Sequence, residues 1–113
     1  MGERPVIYGD GSMERDYIYV ADAVEATIAP LEKKTAHKIF NVGSGAGTSI
    51  NQLVKVMSGV VGKEIEPMYV EDSVVRVKRV VLDVSRIRDE VGWKPNTSLQ
   101  QGIERTWRWI TCV

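Results

Sequence analysis

Apolar and polar positions divide the chain into short elements. Pro5 to Tyr8 is a brief apolar run that predicts an extended segment, closed by Gly9, Asp10 and Gly11, a cluster that favours a bend. Tyr17 to Val20 predicts a second extended run. From Asp22 the apolar residues fall at Val24, Ile28 and Leu31, with Ala23 and Ala26 beside them. That is the spacing of one helical face, and it predicts a helix capped by Asp22 and ending near Leu31. Glu32 to His37 is polar, and Lys38 to Val42 reads as a strand. After the glycines of FNVGSGAGTSIN, the residues Ile50, Leu53, Val54, Met57, Val60 and Val61 trace an amphipathic stripe. Thr48 or Ser49 caps this helix and Gly62 ends it.

The second half continues the mixture. Ile65 to Val70 predicts a strand, and the valine-rich stretch Val74 to Leu82 another extended segment. Asp83 or Ser85 opens a short helix to Val91. GWKPNTS is a loop, because the residue before a proline avoids helix and Gly92, Asn96 and Ser98 form turns. Ser98 caps a last helix with Leu99, Ile103, Trp107 and Ile110 on one side and Glu104 one turn before Arg108 on its surface. Short strands mixed with about four helices give an α/β (α+β) fold class.

Composition bounds the rest. A length of 113 residues, 43% of them hydrophobic, suits one compact domain spanning 1–113. Fifteen basic and fifteen acidic side chains cancel, and no stretch concentrates one sign, so nucleic-acid and membrane surfaces are not expected as partners. The lone Cys112 excludes an internal disulfide and fits a reducing compartment. Neither a signal-peptide core nor a membrane-length apolar window is present, which makes a cytoplasmic location the default.

The chemistry readable from residue types alone is sparse. Gly43, Gly45 and Gly47 fit neither the G-x-G-x-x-G dinucleotide fingerprint nor the phosphate loop, which needs a lysine before Thr48; a tight strand-to-helix connection is the better reading of this loop. His37 has no second histidine or cysteine nearby, so no metal site is expected. No G-x-S-x-G occurs, and no nucleophile is assigned. Trp93 and Trp107 are expected in the core, with Trp109 off the apolar stripe and partly exposed. Arg15 beside Asp16 reads, on its own, as a surface ion pair.

Four blocks in order carry a family likeness: PVIYGDGSMERDYIYVADAVEA from Pro5, IFNVGSGAGTSINQLV from Ile39, LDVSRIRDEVGWKP from Leu82 and SLQQGIERTWRWI from Ser98. Over nearly its whole length the chain resembles the carboxy-terminal part of the extended short-chain dehydrogenase/reductases that act as NAD-dependent nucleoside-diphosphate-sugar epimerases and dehydratases. The second and fourth blocks look most like UDP-glucose or UDP-galactose 4-epimerases. The resemblance implies the small sugar-nucleotide-binding lobe of such an enzyme without its Rossmann domain. In the family, hydride and proton transfer need the NAD fingerprint and a Tyr-x-x-x-Lys pair. Here Tyr8, Tyr17, Tyr19 and Tyr69 are followed four residues on by Ser12, Ala21, Ala23 and Ser73, so no catalytic residue is assigned, and no cofactor is expected on this chain alone.

By the same resemblance, the strand Val6, Ile7 and Tyr8 lies along the nucleobase of a UDP-sugar, and Arg15 with Tyr17 meets the diphosphate. A guanidinium suits that role because its planar fork can hold two phosphate oxygens at once. Relatives usually carry a second arginine and, three residues on, an aspartate ahead of the LDVSR block; here those positions hold Ser73 and Arg76. Arg76 either reaches the phosphate position or stands in solvent. The partners implied are a UDP-sugar and the missing NAD-binding half; the alternative is a non-catalytic binding or assembly module, forming a homo-oligomer through the surface that once faced that half. Apolar residues left uncovered by a missing domain would drive such association.

Overall fold

Ser49 and Ser98 each start a helix by the same device. In α2 (Ile50–Val61) the Ser49 hydroxyl accepts from the Gln52 amide at 3.1 Å while the Gln52 side chain accepts from the Ser49 amide at 2.9 Å. In α4 (Leu99–Thr111), Ser98 and Gln101 repeat this exchange at 3.2 and 3.0 Å. Both satisfy amide donors that a helix start otherwise leaves open. Gly62, with φ of 73°, closes α2 in the left-handed conformation that a glycine adopts without strain. The short α3 (Ser85–Val91) is closed in the same way by Gly92, and GWKPNTS links it to α4. The computed structural model describes residues 2–112.

The first helix departs from expectation at its start, and its apolar stripe is not its packed face. It runs as α1 (Val20–Ile28) and continues into a 3₁₀ turn at Ala29–Glu32. Tyr19 occupies the N-cap without a side-chain bond, so Asp22 is not the cap; it lies in the first turn, 2% exposed, and accepts from the Thr97 amide at 2.9 Å. A carboxylate there faces the positive end of the helix and also ties down the loop before α4. The stripe Val24, Ile28 and Leu31 is not the core face. These residues are 51%, 50% and 82% exposed, and Val20, one turn earlier, is 67% exposed. The packed side is Ala26, which meets Ile87, Val91 and Trp93, with Ile18, Ala29, Phe40, Val42 and Val84 around them. Alanine on the inner face lets α1 approach closely, so the larger side chains on its other face have nothing over them.

The strands are shorter than the sequence suggests. β1 (Val6–Tyr8) pairs in parallel with β4 (Met68–Val70), placing Ile7 beside Tyr69. β2 (Glu14–Arg15) is the middle of a second sheet, antiparallel to β3 (Thr48–Ser49) and parallel to β5 (Arg79–Val80). Tyr17–Tyr19 is therefore connection rather than strand, with pairing falling two residues earlier. Ile65–Val70 and Val74–Leu82 contribute only β4 and β5. The expected strand at Lys38–Val42 does not form: among the described residues none of its backbone groups bonds to another backbone group. A strand needs a neighbour, and none lies alongside.

Trp93 is buried as expected, Trp107 is half-buried, and Trp109 is 72% exposed. Glu104 accepts from Gln100 at 3.1 Å instead of pairing with Arg108. α2 and α4 pack on each other, yet no side chain of either reaches full burial apart from the glycine position 102. The molecule is a slab of 50 × 38 × 18 Å with a radius of gyration of 16.7 Å, where a domain of this length is usually about 13 Å. Its surface is 8438 Å², against roughly 6,200 Å² for a folded protein of this mass. No helix among the described residues is long and apolar enough to cross a membrane.

Candidate functional site

The second sheet positions Arg15. Its register sets Arg15 opposite Thr48 and Val80, so the side chain leaves the central strand between two neighbours and is half-buried. One terminal nitrogen donates to the Glu14 carbonyl at 2.7 Å and the other lies 3.6 Å from the Met13 sulfur. Among the described residues no carboxylate comes within ion-pair distance of it. A partly buried guanidinium with five N–H groups and this few acceptors keeps donors free for an anion.

Asp16 does not pair with Arg15; it faces the glycine loop. Oδ1 accepts from the Ser44 amide at 2.7 Å and its hydroxyl at 2.5 Å, and Oδ2 accepts from the amides of Gly45 at 2.9 Å and Leu82 at 3.3 Å. Burial pushes this carboxyl up, but the Ser44 hydroxyl and the three amides outweigh it and hold it below the ordinary carboxylate range. The loop is built around it. A Cβ on Gly43 would stand 2.6 Å from Oδ2, and Gly45 adopts φ of 74° to turn its amide inward. This accounts for two of the glycines of FNVGSGAGTSIN: Gly43 leaves room for the carboxylate and Gly45 commits its amide to it. No local pattern signals this hub, because its partners lie as far as 28 and 66 residues away.

The remaining residues of interest fall in three places. Ile7 is 5% exposed, so it can offer a ligand only its backbone, while Val6 and Tyr8 share an exposed face with Met68. Tyr17, half-buried, borders a large apolar groove between α2 and α4 that Arg15 does not line. Arg76 donates through Nε to Asp72 at 2.6 Å, a bond that holds the Asp72 carboxyl below its usual range. A cleft of about 630 Å³ at the ends of β1 and β4 is lined by Asp10, Glu71 and Asp72, three carboxylates that oppose an anionic ligand there. His37 contacts Glu90 at 2.6 Å, and Glu90 also accepts from the amides of Ala36 and His37, which ties the 33–38 loop to α3.

Comparison with known proteins identifies the family. The family model described as GDP-mannose 4,6 dehydratase matches residues 1–106. A UDP-glucose 4-epimerase of Mycolicibacterium smegmatis is 36% identical over 105 residues, which are 93% of this chain and 34% of that protein. The crystal structure of UDP-glucose 4-epimerase with UDP-glucose from Thermotoga maritima superposes with a TM-score of 0.90 at 36% identity, covering 98% of this chain and 36% of that one. A UDP-glucuronic acid 4-epimerase from Bacillus cereus, in complex with UDP-glucuronic acid and NAD, gives a TM-score of 0.85 at 26% identity over 96% of this chain and 35% of that one. The chain thus spans about a third of the length of the relatives it matches. It belongs to the NAD-dependent sugar-nucleotide epimerase and dehydratase family, the extended short-chain dehydrogenase/reductases.

Proposed function

We propose that this chain is the sugar-nucleotide-binding lobe of a UDP-sugar 4-epimerase, and that it holds substrate without performing the chemistry alone. The observation that carries the reading is Arg15: a half-buried guanidinium with free donors and no carboxylate partner, next to a carboxylate hub that fixes its backbone. In this reading Arg15 grips the diphosphate, Val6 to Tyr8 lies along the base, and the Tyr17 hydroxyl reaches a phosphate or ribose oxygen. Arg76 must leave Asp72 before it can assist. The bare stripe of α1, the unpaired Lys38–Val42 stretch and the enlarged surface support a lobe whose companion, the NAD-binding half, is a separate structural unit.

The chain lacks the tyrosine–lysine pair and any loop suited to NAD, so proton abstraction and hydride storage belong to that companion. The purified chain given NAD and UDP-glucose is expected to show no turnover. It is expected to bind UDP or UDP-glucose in the millimolar range, on the order of 4 kcal/mol, because part of the cleft is missing. Titration followed by NMR should move the Arg15 Nε–H and Tyr17 signals, and Arg15→Gln should weaken binding by about tenfold. Shifts confined to other residues, or an unchanged affinity in Arg15→Gln, would discard the site.

A further inference from the structure

We propose that Asn51 is the positioning residue of the nucleotide site: its side chain sets the spacing between the Val6–Tyr8 strand, which lies along the base, and Arg15, which holds the diphosphate. The proposal rests on the reading above, in which those two elements grip opposite ends of one ligand. They belong to different sheets, β1 with β4 and β2 with β3 and β5. The link between them is residues 9–13, in which Gly9 and Gly11 take φ of 89° and 76°. Glycines give such a link little conformational preference of its own, so the spacing comes from whatever holds its backbone.

The start of α2 holds it. The Ile50 and Asn51 amides, two of the donors that a helix leaves open at its first turn, donate to the carbonyls of Met13 at 3.1 Å and Gly11 at 3.0 Å. The Asn51 side chain takes a third carbonyl, with Nδ2 donating to Asp10 at 3.0 Å. Its Oδ1 accepts from the Tyr69 hydroxyl at 2.7 Å, and Tyr69 stands beside Ile7 in the β1–β4 pair. Among the described residues no other side chain hydrogen-bonds to both the link and β4. The fit is close, since a Cβ on Gly11 would collide with the Asn51 amide. Asn51 also lies off the apolar stripe of α2, and asparagine is a weak helix former, so neither the helix nor the core calls for it.

A nucleoside diphosphate has a fixed length, and touching both of its ends gains affinity only when the two contacts are correctly spaced. Inorganic pyrophosphate meets only the Arg15 end and is indifferent to that spacing. NMR titrations of the purified chain with UDP and with pyrophosphate separate the two roles. Asn51→Ala, which keeps both backbone bonds, should weaken UDP about tenfold and leave pyrophosphate within about twofold of wild type. Tyr69→Phe removes one bond of the same amide and should weaken UDP about threefold. Arg15→Gln should weaken both ligands; if it weakens neither, the nucleotide reading fails and this proposal with it. Where Arg15→Gln does weaken both, a UDP affinity unchanged in Asn51→Ala, or a pyrophosphate loss as large as the UDP loss, overturns the positioning role alone. If circular dichroism shows Asn51→Ala unfolded, Tyr69→Phe decides, and an unchanged UDP affinity in that variant overturns the proposal.

Discussion

Replacing Asp16 by asparagine tests whether one carboxylate organises the strand that presents Arg15. Asparagine keeps an oxygen for the Ser44 amide and hydroxyl, but turns the other atom into an NH₂ that faces the amides of Gly45 and Leu82, donor against donor. Two hydrogen bonds to a charged acceptor are lost. Each would be worth about 1.5 to 3 kcal/mol in a dry interior, but Asp16 is only half-buried and water can reach the freed groups, so about 1 kcal/mol each is the better figure. The variant should therefore be less stable by about 2 kcal/mol, lowering Tm by roughly 8 °C for a domain of this size. The pH dependence gives the sign of the electrostatic part. Because the folded carboxyl is held below its ordinary value, its contribution is complete above about pH 4 and is lost as the pH falls through the lowered value. Urea melts followed by circular dichroism at pH 7 and near pH 3 would measure both quantities. A gap between wild type and Asp16→Asn that stays constant down to the acid end, or a gap below about 0.5 kcal/mol at pH 7, would refute the reasoning.

Two other substitutions probe the frame. Ser98→Ala removes the hydroxyl that caps α4 and should cost about 1 kcal/mol in a denaturant melt, with fraying of amides in the first turn; an unchanged midpoint would show that Gln101 alone suffices. Glu90→Gln takes the charge from the clamp on Ala36 and His37, and hydrogen exchange of those two amides should quicken while α3 amides stay protected. Equal rates would mean that the 33–38 loop is held by other contacts, such as Lys33 donating to the Val91 carbonyl.

How much of this was legible in the sequence depended on how far apart the interacting residues lie. The serine caps of α2 and α4 were legible because each partner sits three positions away, and so were the glycine stops. The α1 stripe shows a different limit. Periodicity identifies which residues share a face, but not what covers that face, and here the alanine side packs while Val24, Ile28 and Leu31 stand open. Strand propensity at Lys38–Val42 met the same limit, since a pairing partner is a tertiary fact. Asp16 was assigned to Arg15 by adjacency, although strand neighbours point to opposite sides of the sheet. Asp22 was legible as a helix-start residue, but its bond to Thr97 bridges 75 positions that no local pattern connects.

The unpaired stretch from Lys38 to Val42 also bears on how the molecule behaves in concentrated solution. It carries Ile39, 78% exposed, with Lys38 as its only charged side chain. Backbone groups without a backbone partner beside an exposed isoleucine, whose own carbonyl accepts only from the Arg86 side chain at 3.2 Å, make a template onto which a passing strand can add, including the same five residues of another molecule. Covering that edge is thus a matter of solubility as well as architecture, and a longer polypeptide that keeps it covered would be spared the fibril-forming encounters to which the bare lobe is open.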